Sequence, residues 1–160
     1  MVSGQAQQFE HEIADMLDAE NQFLQAHQVM LPSATDPVLN AVIEEHIVET
    51  KDQIERLEEV FAEVGKQPER ESCAAAKGLI DECKRAIGQA RTEVLRDSFI
   101  ARAALKAAYY KMVGYVDLIE DAETLHLERA VQLLTENREQ EVRTANRLER
   151  MSERLSVRAA

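Results

Sequence analysis

Lys106-Ala-Ala-Tyr-Tyr-Lys-Met-Val-Gly-Tyr115 lies in the middle of a long helical run, from about Thr92 to Thr124. On a wheel of about 100° per residue, Ala104, Ala107, Ala108, Tyr115, Leu118 and Ile119 share one broad apolar face, and Lys111 falls inside it. Arg102, Lys106, Asp117 and Asp121 lie away from that face, where solvated residues belong. A lysine among alanines and leucines at a helix midpoint either snorkels to water or pairs with buried acid. The fold can be read by asking which acids the other helices bring to it.

The first helix runs from about Gln5 to Val29, with a stripe of Phe9, Ile13, Met16, Phe23 and Leu24. Glu20 sits near the centre of that stripe, and His27 follows on the same side. Pro32 stops this helix, and Asp36-Pro37 reads as an N-cap followed by proline at the first helical position. The second helix extends to about Val64 and closes on Gly65 as a C-terminal cap. Its face holds Ile43, Ile47, Thr50, Ile54, Leu57 and Phe61, with His46 among them and Glu49 and Gln53 beside it. A shorter helix, about Ser72 to Gln89, precedes the run around Lys111. The last helix covers about Leu127 to Leu155, and residues 156–160 are expected to fray. Glu141 occupies the middle of its seam, one turn after Asn137.

Four long helices with short links predict an antiparallel bundle, with the shorter helix outside or at one end. Bundling puts helix midpoints at one level. Glu20, His46, Glu49, Lys111 and Glu141 should therefore converge, and the predicted central charge network is Lys111 with Glu20, Glu49 and Glu141. A charge buried alone costs several kcal/mol, on the order of the penalty for an unpaired ion, whereas a lysine among carboxylates offsets much of it.

Composition supports the same class. Only 5 glycines and 3 prolines interrupt 160 residues, there is no tryptophan, and apolar residues make up 45%. One all-α domain over residues 1–160 is expected. Thirty acids against 19 bases give a formal net charge of -11, which argues against nucleic acid and anionic membranes as partners. Met1 to Gln8 lacks a basic region followed by an apolar core, and no apolar run reaches the roughly 18 residues of a membrane span. A cytoplasmic protein is expected. Cys73 and Cys83, ten residues apart in one helix, would stand about 15 Å from each other, too far for a disulfide, and read as reduced thiols.

Acid and histidine at a bundle centre also build carboxylate-bridged dimetal sites, which need roughly four carboxylates and two histidines. The residual candidates are Glu20, His46, Glu49 and Glu141. The helix around Tyr109 to Gly114 adds no inward acid and instead contributes Lys111, whose charge opposes a cation.

At these residues the chain resembles the YciE/YciF-like ferritin-like family of bacterial stress proteins. His11-Glu12-Ile13 through Glu20-Asn21-Gln22, Glu45-His46-Ile-Val-Glu49-Thr50, Gln53-Ile54-Glu55-Arg56-Leu57-Glu58, and Gly65, Pro68, Cys73 and Lys77-Gly78-Leu79 carry the resemblance. It implies a ferritin-like antiparallel four-helix bundle with one additional shorter helix, often dimeric, and a dimetal centre in intact members. The family's fourth segment typically reads Lys-Val-Glu-His-Tyr-Glu. Here Ala108 and Lys111 stand for the two glutamates and Tyr109 for the histidine. In the last helix Gln140 and Ala145 replace an acid each, and in the first Leu17 replaces a tyrosine.

The resulting expectation is a stress-related structural or interaction protein with a degenerate dimetal centre, in which Lys111 takes the place of metal charge. No catalytic or cofactor-binding residue is assigned and no cofactor is expected. The alternative is a metal-binding, oxidoreductase-like protein holding iron or manganese on the residual ligands, with Tyr109 and Tyr110 as redox candidates. Their simpler role is packing. The resemblance is not to shell-forming ferritins, so iron storage in a shell is not expected. The apolar arc from Ala101 to Ile119 is broader than one bundle needs, which points to a homodimer.

Overall fold

A computed structural model describes residues 4–160; the domain expected over 1–160 and the stretch read for a signal therefore begin partly outside the described residues. Five helices form in order: α1 Gln5–Met30, α2 Pro37–Glu63, α3 Ala74–Gln89, α4 Glu93–Thr124 and α5 Glu128–Ala159. Among the described residues there is no strand.

The helix boundaries have local causes. Asp36 caps α2 by accepting from the backbone N–H groups of Val38 and Leu39, and Pro37 supplies the first helical position. Gly65 ends α2 with φ of 71°, the left-handed conformation that glycine adopts without cost, and Lys66 N–H closes the cap on Phe61 O. Thr92 caps α4 through Leu95 N–H. Between α4 and α5 the left-handed position is held by His126, with φ of 58°, which is why no glycine marks that boundary in the sequence. Through the stretch expected to fray, α5 continues to Ala159, and Arg158 reaches back to Asp36.

α1, α2, α4 and α5 form the bundle. α2 and α5 run antiparallel, as the pairs Glu45–Arg147 and Glu59–Arg129 require, and Asp36 meets Arg154 near the opposite end from Glu59. α1 and α4 are likewise antiparallel, with Gln5 near Asp121 and Asp15 near Tyr110. The second connection is not a short link. It runs the length of the bundle, because α2 ends beside Phe9 and Glu10 whereas α4 begins beside Ser33 and Thr35. α3 lies within this crossover, outside the bundle, against α1 and α4. It buries only Ala76 fully, with Leu79, Ile80 and Ile87 half-covered. Gly114 leaves room for the Met16 methyl; a β-carbon there would press on Met16 Cε and oblige that flexible side chain to shift.

The core falls into two apolar clusters. One gathers Phe9, Ile13, Phe23, Leu57, Phe61 and Leu134; the other gathers Leu39, Ile43, Ile100, Ala104, Leu148 and Leu155. Between them each helix turns polar. On α2, His46, Thr50 and Gln53 separate Ile43 from Leu57; on α5, Asn137, Glu141 and Thr144 separate Leu134 from Leu148. On α4, Lys111 separates Ala108 from Tyr115. That layer is the most unusual chemistry in the molecule.

Candidate functional site

Lys111 has no exposed surface, nor do Glu20 and Glu141. Its Nζ stands 2.6 Å from Glu141 Oε1 and 2.9 Å from Glu20 Oε2. The ammonium also donates to Gln53 Oε1 at 2.8 Å and to Thr50 Oγ1 at 3.4 Å, and lies 3.5 Å from His46 Nε2. Snorkelling is thereby excluded: the side chain stays inside and meets groups from three other helices. Its contact with Glu20 is an ion-pair distance without the alignment of a hydrogen bond.

Each carboxylate has a second partner. His46 Nε2 is 3.2 Å from both oxygens of Glu141. Tyr115 OH donates a very short hydrogen bond to Glu20 Oε1 and accepts from Asn137 Nδ2 at 3.1 Å. Asn137 also donates to Gln53 O, and Arg56 donates from the bundle surface to Asn137 Oδ1 and Gln140 Oε1. Gln53 Nε2 donates to the same Gln140 oxygen. The layer is thus a connected network of charge and neutral amide rather than a bare ion pair.

Glu49 is the predicted member that does not join. It is half-buried and accepts from Thr144 Oγ1 at 2.7 Å, on the α2–α5 face, and is not among the partners of Lys111. The predicted network therefore contracts to Lys111, Glu20 and Glu141. It gains Gln53, Thr50, Tyr115 and Asn137, whose neutral side chains gave no charge signal in the sequence. In the sequence Tyr115 reads only as part of an apolar face. Tyr109 and Tyr110 face elsewhere: Tyr109 OH donates to Glu149 on the surface, and Tyr110 OH lies 3.1 Å from Cys73 Sγ, with its ring edge-on to Phe23.

The two carboxyl groups are not equivalent. Burial by itself would push Glu141 up, but Lys111 and His46 outweigh it and hold this carboxyl well below the usual range. Burial also pushes Glu20 up; Lys111 opposes this and the nearby Glu141 charge reinforces it, leaving Glu20 raised. Burial would lower Lys111, yet the two acids outweigh it and raise it. One ammonium thus satisfies one full negative charge, on Glu141, while Glu20 holds a proton more readily. His27, fully buried, lies with its ring tilted by 42° against that of His46, the centroids 4.7 Å apart. Burial, then the nearby His46 and Lys111, keeps it neutral well below the ordinary histidine range.

Of the four residual metal candidates, Glu20, His46 and Glu141 meet around the Lys111 ammonium and Glu49 stands apart. Among the described residues no group of three or more His, Cys, Asp or Glu side chains is arranged to hold a metal ion. A groove of about 670 Å³ between α1 and α4 opens to solvent past His11, Asp15, Tyr110, Gly114 and Asp117, and no residue of the Lys111 network lines it. Among the described residues no helix is long and apolar enough to cross a membrane.

Comparison with known proteins adds to this geometry. The chain is 31% identical to the protein YciF of Escherichia coli over 137 residues, 85% of this chain and 82% of that protein. The crystal structure of the E. coli stress protein YciF superposes with a TM-score of 0.90 at 28% identity, covering 96% of this chain and 98% of that one. YcfI of Rhodopseudomonas palustris, provisionally described as a structural protein, also superposes with a TM-score of 0.90, at 30% identity, over 92% of this chain and 94% of that one. The resemblance read from the helical motifs is thus matched in sequence and in fold. Residues 5–160 match the family described as a domain of unknown function, DUF892, and the chain belongs to that family.

Proposed function

We propose that this protein is a non-catalytic, stress-related structural bundle of ferritin-like type, in which Lys111 supplies the positive charge that a dimetal centre would otherwise bring. The observation that carries this reading is the fully buried ammonium 2.6 Å from Glu141 and 2.9 Å from Glu20. Two divalent metals need hard, anionic oxygen donors on all sides. Here the oxygens of Glu20 and Glu141 already face a cation, Glu49 is engaged by Thr144, and Ala108 and Gln140 offer no charge. These residues do not fit a dimetal pair. The stress role draws on the description of the relative YciF, and the structural role on that of YcfI. A cytoplasmic location and a homodimer belong to the same reading; Tyr109 and Val113, which α4 leaves exposed, support the homodimer alone.

Elemental analysis after anaerobic reconstitution with ferrous iron or manganese tests it. Well below one equivalent per chain is expected. Two tightly held iron atoms per chain, with an oxo-bridge absorption band on oxidation, would overturn the reading. Ala108→Glu combined with Lys111→Glu restores two acids and removes the opposing charge. That variant should gain divalent-metal affinity and be stabilised by the metal, because only the folded state binds it.

A further inference from the structure

Apart from the lysine layer, α1, α3 and α4 line a small, partly open pocket of about 40 Å³. Its walls are largely apolar, among them Phe23, Ala26, Leu79, Ile80 and Ala107. Three other residues line it with electron-pair donors: His27, Met30 and Cys83. The Cys83 sulfur lies 3.7 Å from Met30 Sδ. His27 is 1% exposed, and its Nδ1 is buried with no hydrogen-bond partner. A buried ring nitrogen left unpaired is unfavourable, so it calls for an occupant.

The chemistry of the donors narrows that occupant. The space admits one water or one ion, and excludes an organic ligand of ordinary size, which needs several hundred Å³, about ten times more. A water would want two to four polar partners, and the lining offers one histidine and two weakly accepting sulfurs. A thiolate, a thioether and a neutral imidazole are together the donor set of a soft monovalent cation. Charge leads to the same choice. A monovalent ion bound to one thiolate is neutral overall, which an apolar cavity accepts, whereas zinc would leave a net positive charge in it. Lys84 lines the rim, but its side chain is exposed and free to extend into water.

We propose that His27, Met30 and Cys83 form a binding site for a single soft monovalent metal ion, Cu(I) or its redox-inert analogue Ag(I). Binding replaces the thiol proton: the metal–sulfur bond forms as the S–H proton leaves to solvent, and no electron is transferred. One proton is therefore released for each ion taken up. The site uses no residue that pairs with Lys111. It also accounts for a helix, α3, that is joined to the bundle by little fully buried surface but carries the thiol inward.

Anaerobic titration of the full chain with Cu(I), against a chromophoric Cu(I) chelator, tests the proposal. One equivalent of Cu(I) per chain is expected, with release of one proton and a rise in melting temperature. X-ray absorption should find two sulfurs and one nitrogen around the metal. Cys83→Ser should weaken binding by at least tenfold, and Met30→Leu, which preserves volume and leaves the thiol in place, by several-fold. Failure to bind Cu(I), affinity unchanged in both variants, or a metal environment with a single sulfur would each overturn it.

Discussion

Two polar clusters in this molecule use similar side chains to opposite ends. At the bundle centre, Lys111, Glu20 and Glu141 have no exposed surface and form their ion pairs inside. At the end where α2 begins, Asp36 and Asp97 are also buried, but their partners are of a different kind. Asp97 accepts from Thr35 N–H, Thr35 Oγ1 and Asp36 N–H, and Asp36 caps α2 and meets Arg154 and Arg158, which are 43% and 52% exposed. There the charge is met by backbone dipoles and by cations that remain hydrated. Burial pushes Asp36 up, yet those hydrogen bonds and Arg154 bring it below the usual range. The difference is one of replaceability. Water can stand in for an arginine at the end, but Lys111 at the centre has no exposed surface through which water could replace it.

The comparison breaks most visibly at Lys111. Lys111→Ala leaves Glu141 and Glu20 together without a cation, and should cost about 3 kcal/mol at neutral pH, as when one partner of a buried pair is removed. The loss should shrink in mild acid, where the orphaned carboxyls take up protons. Urea unfolding at pH 7.5 and pH 5 measures both quantities; a variant as stable as the parent would mean that the ion pairs contribute nothing.

The inequality of the two acids sharpens the point. Glu141→Gln removes the charge that Lys111 and His46 hold, and should cost about 2 kcal/mol, the scale of a hydrogen bond to a charged group. Glu20→Gln removes a carboxyl already inclined to carry a proton, and should cost less than about 1 kcal/mol. Equal losses would remove the asymmetry.

The pH dependence has opposite signs at two positions. His27 is lowered in the fold, so below the unfolded value near 6.5 the unfolded chain binds a proton that the folded chain refuses. Stability should fall as pH drops from 7.5 to 5.5, by at most about 1.4 kcal/mol per pH unit, and His27→Gln should remove that part of the fall. Glu20 is raised, so its contribution is present below about 4.5 and is lost as pH rises through its folded value. The parent-minus-variant difference in urea midpoint should therefore rise with pH for His27→Gln and decline with pH for Glu20→Gln.

The smallest effects belong to the end cluster. Asp36→Ala removes a helix cap and should cost about 1 kcal/mol. Arg154→Ala, at a half-exposed pair, should cost less than about 1 kcal/mol and less still at high salt. An Arg154 loss that rivals Lys111→Ala would erase the distinction between the two clusters.

Much of this was legible in the chain. Helical periodicity placed Glu20, Lys111 and Glu141 at the midpoints of inward faces, and bundle geometry is enough to bring midpoints together. The cap at Asp36 and the stop at Gly65 follow from residue types alone. What periodicity cannot supply is which of several inward groups meet. Glu49 shares a level with the layer, but its side chain leans to Thr144. Tyr115 reads as an aromatic on an apolar face, and only the register of α1 against α4 brings its hydroxyl to Glu20. The path of the α2–α4 connection was equally hidden, since a shorter helix outside a bundle reads the same whether it crosses an end or runs lengthwise. Asp97 gave no sign, because its donors come from a loop sixty residues earlier.

The separation of the core into two apolar clusters bears on how the helices find their alignment. Leucine, alanine and phenylalanine grip nearly as well after one helix slides a turn, about 5.4 Å, past its neighbour. The lysine does not. Moved by one turn along α5, its ammonium would leave Glu141 behind and come against Asn137 or Thr144, which can accept a hydrogen bond but carry no charge. The layer thus acts as a detent between two smooth surfaces: it favours one setting of α4 against α1, α2 and α5.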